Sequence, residues 1–398
     1  MKYVFIIGAG NRAYELLIKP LETEKYSGMK IIGIYDKNIH RAKLLASYAP
    51  YKIPVYKNLE EAVHNESISM FLIMTPDYTH VPIINVILKN SNAKVICEKP
   101  ICISEDQVID LLSLPQMQQK RINVLLNSRF MPINYTIKKL LDEKIIGTPL
   151  SVSYNWNIDL SHGVEYLRRW HSDITKSGGM LVHKSCHHFD LLNWWLSDVP
   201  EKVFAYGNQL FYYSKTECAD YCRKCSEKCK FRMNSINKDL INNMYFQAEK
   251  YDGYIRDKCI FKNNTIYDTI CLQIKYKKQE LVSYTFNMYA SETVWSLNIV
   301  GTKGKISIDY NLQKDSNAIN IKLLTGKERK IMIQGNKLKH EGADLEIRKR
   351  LFSDSIIQPK EKILGSMKEG ILASAIGIGA NKSIKRGEEY EISQIINL

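Results

Sequence analysis

The sequence predicts an α/β plus α+β protein of two domains: a parallel sheet flanked by helices, followed by a domain rich in β-strands. Three observations support this fold class. The chain has 398 residues, more than one hydrophobic core usually organises. Residues 1–124 alternate apolar strand-like runs with helix-like segments, which is the pattern of repeated βα units. Residues 125–398 contain strand-like segments rich in β-branched and aromatic residues, such as LVSYTFNMYA.

The composition is that of an ordinary globular enzyme, with 45% hydrophobic and 25% charged residues. No stretch reaches the roughly 20 apolar residues that a membrane span needs. The apolar run at the amino end is short and passes directly into glycines, unlike a signal peptide. We therefore expect a cytoplasmic protein that does not bind membranes.

The net charge of +14 raises the question of nucleic-acid binding. The basic residues occur in short, separate segments mixed with acids, such as YKKQE and SIKRGEEYE. Scattered charge of this kind favours a lysine-rich solvated surface over a nucleic-acid-binding face. We expect no nucleic-acid partner.

The first strand-like run, KYVFII, leads into a GxGxxA turn and a helix-like segment. In such a turn Gly8 permits the tight bend, and Gly10 lets the backbone approach a pyrophosphate. Asn11 and Arg12 lie in the same turn. The pattern predicts a dinucleotide-binding site that includes these four residues.

The second strand-like run, MKIIGIYD, ends in Asp36. A carboxylate at this strand end would accept hydrogen bonds from an adenosine ribose and repel a 2′-phosphate, which favours NAD over NADP. Alternatively, Asp36 is the N-cap of the helix-like segment that follows it.

Two later strand-like runs end in segments that would face the same ligand. SMFLIMT leads into Thr75, Pro76 and the helix-like segment that begins near His80, and AKVICEK contains Glu98 and Lys99. Ligands bind beyond the carboxyl ends of parallel strands, so we place these five residues at the site. The peptide bond after Lys99 precedes a proline and is a candidate for the cis form.

Together these motifs resemble the glucose-fructose oxidoreductase and inositol dehydrogenase family, abbreviated Gfo/Idh/MocA. The matching segments span nearly the whole chain: GAGNRA, IYDKN, TPDYTH, EKP, GGMLVHKSCHHFDLLNWW, NIVGTKGKISID and EGILASAIGIGANKSIKRGEE. The resemblance implies an N-terminal Rossmann domain over 1–124 and a second domain over 125–398, built on a large, open, mostly antiparallel sheet. It also implies a helix over 366–385 that returns towards the first domain, and a homodimer or homotetramer assembled through the second-domain sheet.

The resemblance further implies NAD-dependent oxidation of a hydroxyl group on a sugar, cyclitol or related carbohydrate. The lysine of the Glu-Lys-Pro motif, Lys99 here, would contact the reacting hydroxyl, and His187 would act as the acid or base. The family motif usually reads Asp-x-Gly-x-His-x-x-Asp, whereas this chain has His183 at the first aspartate position and a serine at the glycine. His187 is therefore expected to work with Lys184, His183 or His188.

Cationic and aromatic side chains complete the predicted pocket. By resemblance, Trp170 lies near the nicotinamide. Arg168, Arg169 and His171 flank it and are candidates for contacts with substrate hydroxyls or acidic groups. Arg129, near the start of the second domain, is a further candidate of the same kind.

The histidine segment also permits a metal site. On a helix, His183, His187 and Asp190 would share one face and hold a divalent ion, as in a metal-assisted hydrolase. The nucleotide-binding motifs would then lack a purpose. Core histidines are a third interpretation.

A cysteine-rich insertion is predicted over 215–262. The cysteines repeat as C-x3-C-x2-C-x3-C from Cys218 to Cys229, and Cys259 follows. Closely spaced thiols in a reducing compartment favour a metal site, because four thiolates satisfy tetrahedral zinc. A subset of the family resembles this stretch and implies that the zinc ligands are Cys222, Cys225, Cys229 and Cys259. A local set with Cys218 in place of Cys259, an iron-sulfur cluster, and unliganded thiols remain alternatives.

The leading hypothesis is an NAD(H)-dependent oxidoreductase that transfers a hydride between nicotinamide and a hydroxyl carbon of a carbohydrate. One alternative is a glycoside-cleaving enzyme in which bound NAD oxidises a ring carbon transiently and so permits elimination. Another is a non-catalytic, NAD-sensing regulatory protein.

Overall fold

A parallel sheet forms the centre of the first domain. The computed structural model of the protein describes residues 1–22, 28–232, 248, 251–252, 257–334, 342–352 and 364–396. The first five strands are β1 (Lys2–Ile7), β2 (Met29–Tyr35), β3 (Met70–Ile73), β4 (Lys94–Glu98) and β5 (Ile122–Leu125). They lie in the order β5-β4-β3-β1-β2 and pair in parallel. The predicted Rossmann-like parallel sheet is therefore confirmed.

A second, nine-stranded sheet forms the centre of the second domain. Its strands include β6 (Pro149–Asp159), β7 (Pro200–Asn208), β8 (Thr269–Tyr276), β9 (Leu281–Ala290), β10 (Val294–Gly301), β11 (Gly304–Asn311), β12 (Ser316–Leu323) and β13 (Glu328–Gln334). Two short strands come later in the chain, β14 (Gly365–Ser366) and β15 (Tyr390–Glu391). The sheet order is β13-β12-β11-β10-β6-β9-β8-β7-β15, and of these pairs β6 and β9 are parallel. The expectation of a large, mostly antiparallel sheet is confirmed.

The burial patterns of the strands explain this division. β3 is the apolar run MFLI and is buried at every position, as expected for a parallel strand covered on both faces. β9 alternates buried and more accessible residues along LVSYTFNMYA. Such alternation is typical of an antiparallel sheet that packs on a core with one face.

Helices cover the first sheet. They are α1 (Asn11–Ala13), α2 (Ile39–Ser47), α3 (Leu59–Val63), α4 (His80–Asn90), α5 (Glu105–Ser113) and α6 (Gln116–Gln119). The side chains of Asn38, Asn58 and Ser104 accept backbone N–H groups at the starts of α2, α3 and α5. These N-caps satisfy donors that a helix cannot pair internally.

The helices of the second domain carry much of the chemistry-bearing sequence. They are α7 (Pro132–Asp142), α8 (Leu160–Leu167), α9 (Ile174–Ser177), α10 (Gly179–His183), α11 (Cys186–Leu196), α12 (Ala343–Phe352) and α13 (Met367–Arg386). α8 to α11 bring the segment from Leu160 to Leu196 between the two sheets, where it faces the first domain. In the described part of the chain, no helix is long and apolar enough to cross a bilayer.

The carboxyl-terminal segment joins the two domains. β14 pairs antiparallel with β5 at the edge of the first sheet, and β15 pairs with β7 in the second. α13 begins with a capping box between Ser366 and Glu369. Further along α13, Lys382 forms an ion pair of 2.6 Å with Glu105 of α5.

Candidate active site

A cleft of about 1780 Å³ lies between the carboxyl ends of the first sheet and the α8–α11 segment of the second domain. This volume exceeds the roughly 300–1,000 Å³ of a pocket for one drug-sized molecule. It leaves room for a dinucleotide and a second small molecule. The position agrees with the rule that open parallel sheets bind ligands beyond their strand ends.

The glycine turn after β1 forms one end of the cleft. Gly8 has φ +98°, and a Cβ there would lie 2.7 Å from the carbonyl carbon of Met74. Gly10 is different, because a Cβ built on it meets no atom within 4 Å. The space above Gly10 is therefore open, as close approach of a pyrophosphate to the backbone requires.

Asp36 lies where β2 ends. Its carboxylate accepts the backbone N–H of Ala9 at 2.6 Å and that of Asn38 at 2.8 Å. Burial raises the pKa of Asp36 above its ordinary value, although both hydrogen bonds oppose this shift. The interpretation of Asp36 as the cap of α2 is wrong, since Asn38 caps that helix. Asp36 lines the cleft, where a carboxylate fits the ribose hydroxyls of NAD.

Part of the cysteine-rich insertion crosses to the first domain beside Asp36. We call residues 248 and 251–252 the strap. Asn38 donates hydrogen bonds to the Ala248 carbonyl at 3.0 Å and to Asp252 at 2.5 Å, and Arg41 forms an ion pair with Asp252. Tyr251 stacks on His40 with ring centroids 3.6 Å apart. The strap therefore covers the edge of the cleft where Asp36 lies.

We expect Asp252→Ala to raise the Kd for NAD about 5- to 10-fold, because it removes a half-buried ion pair and a hydrogen bond that hold the strap. Equilibrium titration with NAD, followed by protein fluorescence, measures the change. Asp252→Asn keeps one hydrogen-bonding oxygen, so its Kd for NAD should lie between those of the wild type and Asp252→Ala. Glu346→Ala removes an exposed ion pair with Lys349 and serves as the matched control. An unchanged Kd in Asp252→Ala would show that the strap does not influence cofactor binding.

Lys99 lies at the centre of the cleft, beyond β4. The Lys99–Pro100 peptide bond is cis, in line with the sequence-based suggestion. The Lys99 ammonium donates a hydrogen bond of 2.9 Å to the carbonyl oxygen of His183. This contact joins a strand end of the first domain to α10 of the second.

Asp77 and His183 form a buried pair next to Lys99. His183 Nδ1 lies 2.6 Å from Asp77 Oδ2. Burial lowers the pKa of His183 far below its ordinary value, and the nearby Lys99 adds to this effect. Burial raises the pKa of Asp77 well above its ordinary value. The lowered pKa of His183 and the raised pKa of Asp77 both favour a pair that holds one proton between the two side chains and has no net charge.

His187 and Lys184 line the same wall of the cleft. Lys184 lies between α10 and α11, and its Nζ is 6.0 Å from the centre of the Trp156 ring. Burial lowers the pKa of Lys184 to about 8. His187 is half-buried in the first turn of α11.

Aromatic rings also line the cleft. Trp170 stacks on His171, with ring centroids 3.8 Å apart, and His171 meets His183 edge-on at 4.5 Å. Trp156 and Trp295 are cross-strand partners on β6 and β10, and their rings are parallel to within 10°. The cleft thus combines cations and imidazoles with flat apolar surfaces.

Two family models match nearly all of the chain. Residues 2–126 match the oxidoreductase family, NAD-binding Rossmann fold, and residues 138–391 match the oxidoreductase family, C-terminal alpha/beta domain. Both are models of the Gfo/Idh/MocA family. The chain belongs to this family.

Individual relatives agree with this Gfo/Idh/MocA assignment. YteT of Bacillus subtilis is 28% identical over 427 residues, covering 100% of this chain and 99% of its own. An inositol 2-dehydrogenase of Rubrobacter xylanophilus is 22% identical over 182 residues, 45% of this chain and 48% of its own.

Solved structures show the same fold. Levoglucosan dehydrogenase in complex with NADH and levoglucosan has a TM-score of 0.71 at 14% identity, covering 98% of this chain and 99% of its own. The myo-inositol dehydrogenase of Corynebacterium glutamicum has a TM-score of 0.65 at 16% identity, with 98% of each chain covered. The Gfo/Idh/MocA protein described here is thus an NAD-binding oxidoreductase by family.

Within this Gfo/Idh/MocA fold, Arg129 does not face the substrate, and its predicted role is wrong. The side chain is buried and donates two hydrogen bonds to Asp190, one of them at 2.8 Å. Its third contact is with Glu369 of α13, at 2.7 Å. Asp190 is therefore a structural partner of Arg129. The alternative metal site of His183, His187 and Asp190 is also wrong, since Asp190 is committed to this ion pair.

Arg168 is a structural residue as well. Its guanidinium donates to the carbonyl of Lys258 at 3.1 Å, to the carbonyl of Phe231 and to the Cys222 thiol. These bonds attach α8 to the cysteine-rich insertion. Arg168 also lines the cleft, and its contact with substrate stays a prediction. Arg169 remains in the cleft wall, with Glu165 3.8 Å away.

Two histidines that were predicted to lie in the site make their hydrogen bonds inside the protein. His80 is fully buried, and its ring nitrogens lie 2.7 Å from the Pro100 carbonyl and 2.9 Å from the Thr75 carbonyl. It connects two strand-end loops, so the predicted cofactor contact is wrong. His188 stacks on Trp156 and shares a hydrogen bond of 2.6 Å with Tyr284. It supports the cleft wall from behind, which corrects its predicted substrate role.

Two further residues that were predicted to bind the cofactor form an ion pair with each other. Arg12 pairs with Glu98 and with Asp344 of α12, and the second distance is 2.8 Å. Both Arg12 and Glu98 line the cleft. This ion pair attaches the glycine turn to the end of β4. Direct contact of Arg12 or Glu98 with NAD stays a prediction. Asn11, Thr75 and Pro76 line the cleft as well.

The predicted zinc site receives no support. Within the residues described, no group of three or more histidines, cysteines or acidic residues is arranged to hold a metal ion. Cys222 instead contacts Arg168, and the Cys259 sulfur accepts the N–H of Phe261 at 3.4 Å. Cys225 and Cys229 are partly exposed thiols. The described arrangement therefore does not support the four cysteines predicted as zinc ligands, and we assign them no step.

Sequence reasoning missed several residues of the site. Asp77 lies in a strand-end loop that the sequence does place at the site, but its pairing with His183, 106 positions away, was missed. Trp156 and Trp295 fall in strand-like runs, where tryptophan is ordinary. Their signal is cross-strand register, which cannot be read before the strands are paired. The strap gave no local signal.

Proposed function

We propose that this Gfo/Idh/MocA protein transfers a hydride between NAD and a hydroxyl-bearing carbon of a carbohydrate. The main support is the contact between Lys99 Nζ and the His183 carbonyl, because it brings a cation from the cofactor domain to the wall that carries His187. A proton acceptor and a cation thus share one cleft with a turn that fits a dinucleotide. This is the combination that oxidation of an alcohol requires.

The residues of this chain act on the substrate proton. When bound, NAD takes up or returns the hydride. The Lys99 ammonium donates a hydrogen bond to the substrate hydroxyl and lowers the pKa of that hydroxyl. His187 accepts the proton as the carbonyl forms, a task suited to imidazole near neutral pH. Asp77 and His183 position Lys99 through the His183 backbone.

The pocket favours a cyclic polyol. Trp156, Trp170 and Trp295 offer flat apolar surfaces to the C–H faces of a ring, while Arg169 and Lys184 offer donors to its hydroxyls. The names of two similar proteins, inositol 2-dehydrogenase and levoglucosan dehydrogenase, also refer to ring polyols.

One observation favours a second candidate function. The strap covers the cleft edge at Asp36. A covered cofactor suits an enzyme that reduces and reoxidises the same NAD molecule, such as a glycoside-cleaving enzyme that works by transient oxidation and elimination.

A substrate panel tests both. The purified protein is supplied with NAD and with cyclitols, free sugars and glycosides, while NADH absorbance and released sugar are followed. Net NADH from a cyclitol or a free sugar is the expected result. Glycoside cleavage without net NADH would instead select the second candidate. Retained NAD binding with neither reaction would contradict both and leave an NAD-sensing protein.

A further inference from the structure

The substrate end of the cleft has an excess of positive charge. We define this end as the part of the lining contributed by residues 156–312, together with Asp77 and Lys99. Its fixed cations are Lys99, Arg168, Arg169, Lys176, Lys184 and Lys258. Its carboxylates, among the residues described, are Asp77, Asp173, Asp220 and Asp252.

These four carboxylates already have partners, and the partner of Asp252 is Arg41. Asp77 is bound to His183 at 2.6 Å. Asp173 accepts the backbone N–H of Thr175 and forms an ion pair of 3.2 Å with Lys176. Asp220 accepts a hydrogen bond of 3.4 Å from Asn263. They do not neutralise the wall on which Lys184 lies.

Lys184 is the cation whose position needs a ligand. Within the part of the chain that the structure describes, no carboxylate oxygen lies within ion-pair distance of its Nζ, which lies over the face of Trp156. The side chain is largely removed from bulk water, and both Lys184 and Trp156 line the cleft. A desolvated ammonium without a partner is unfavourable. With a pKa of about 8 it is still mostly protonated at neutral pH.

We infer that the substrate is an acidic carbohydrate whose carboxylate binds Lys184, in the cleft that Arg169 also lines. The inference rests on the proposed function and adds the charge of the substrate to it. A single ammonium beside an indole ring matches a carboxylate attached to a sugar ring, because the anion pairs with Nζ while the ring packs on Trp156. Pairing would offset the desolvation of both charges.

The test compares sugars that differ only in the acidic group. The pairs are D-galactose with D-galacturonate and D-glucose with D-glucuronate, and glucose 6-phosphate serves as the phosphate arm. NADH formation gives kcat/KM, and calorimetry with the NADH-loaded protein gives the Kd for each sugar. We expect each uronate to exceed its neutral partner, and the phosphate, by about 10-fold or more in both measurements.

Variants at Lys184 decide whether this residue causes the preference. Lys184→Met should lower kcat/KM for the uronates by about 10- to 100-fold more than it lowers kcat/KM for the neutral sugars. Lys184→Arg should keep most of the preference. Lys322→Met, on the exposed surface of β12, is the matched control and should change nothing. NAD binding by each variant verifies that it is folded.

Several results would overturn the inference. Equal or weaker binding of the uronates, including no binding of any sugar, removes the carboxylate subsite. An equal loss for neutral and acidic sugars in Lys184→Met makes Lys184 a catalytic group instead. A preference for the phosphate arm makes the ligand a phosphorylated sugar. Turnover of neutral sugars alone would contradict the inference and support the proposed function, whereas uronate binding without oxidation would do the reverse.

Discussion

Lys99→Ala should lower kcat/KM about 1,000-fold, within the roughly 10²–10⁴-fold range of positioned proton-transfer groups. The change removes the ammonium that contacts the His183 carbonyl and, in our proposal, the substrate hydroxyl. NAD affinity should stay within about 3-fold, since an interaction made mainly in the transition state affects turnover more than binding. NADH formation and NAD titration on the same preparation give the two values.

Lys99→Met and Lys99→Arg separate charge from shape. The methionine variant keeps most of the side-chain length without a charge and should be as inactive as the alanine variant. The arginine variant keeps the charge and should recover part of the activity. Wild-type turnover in Lys99→Ala would remove Lys99 from the mechanism.

Arg129→Met should lower the free energy of unfolding by about 3–5 kcal/mol, because it leaves Asp190 buried without its cation. Arg129 and Asp190 are exposed to only 2% and 1%, so water cannot replace the lost partner. The change also removes the ion pair with Glu369 in the first turn of α13. Denaturant unfolding followed by circular dichroism measures the effect.

Two variants control this stability prediction. Arg386→Met removes a surface ion pair with Glu388 and should cost no more than about 1 kcal/mol. Adding Asp190→Asn to Arg129→Met removes the unpaired charge and should restore part of the lost stability. Equal stability of Arg129→Met and the wild type would mean that the buried ion pair does not contribute to the stability of the fold.

The fold was accessible from the sequence because its signals are local. Strand-length apolar runs followed by helix-like segments define a parallel sheet, and Gly8, Gly10 and Asp36 fall at strand ends that can be counted along the chain. The cleft position of Lys99 followed from the same order of motifs, whereas that of His187 came from the family resemblance. The strands of the second sheet were indicated by the sequence, but their order came only from the structure.

The residues that were placed wrongly share one cause. Arg129 was judged by its neighbours in sequence, whereas its partners Asp190 and Glu369 lie 61 and 240 positions away. His80 and His188 have the polarity of site residues, yet each uses a ring nitrogen inside the protein. Polarity in a motif does not show whether a side chain faces the cleft or the core. Only the packing of distant elements decides it.

β14 affects the order in which the two domains can fold. This strand, Gly365–Ser366, completes an edge of the first sheet, although it comes from near the end of a 398-residue chain. While the chain is being synthesised, β5 presents an open edge of unpaired N–H and C=O groups. Domains generally fold in the order in which they leave the ribosome, from the amino end. Here the sheet of the cofactor domain cannot be completed before the strands of the substrate domain, which precede β14, have left the ribosome. The two domains therefore complete their folding together.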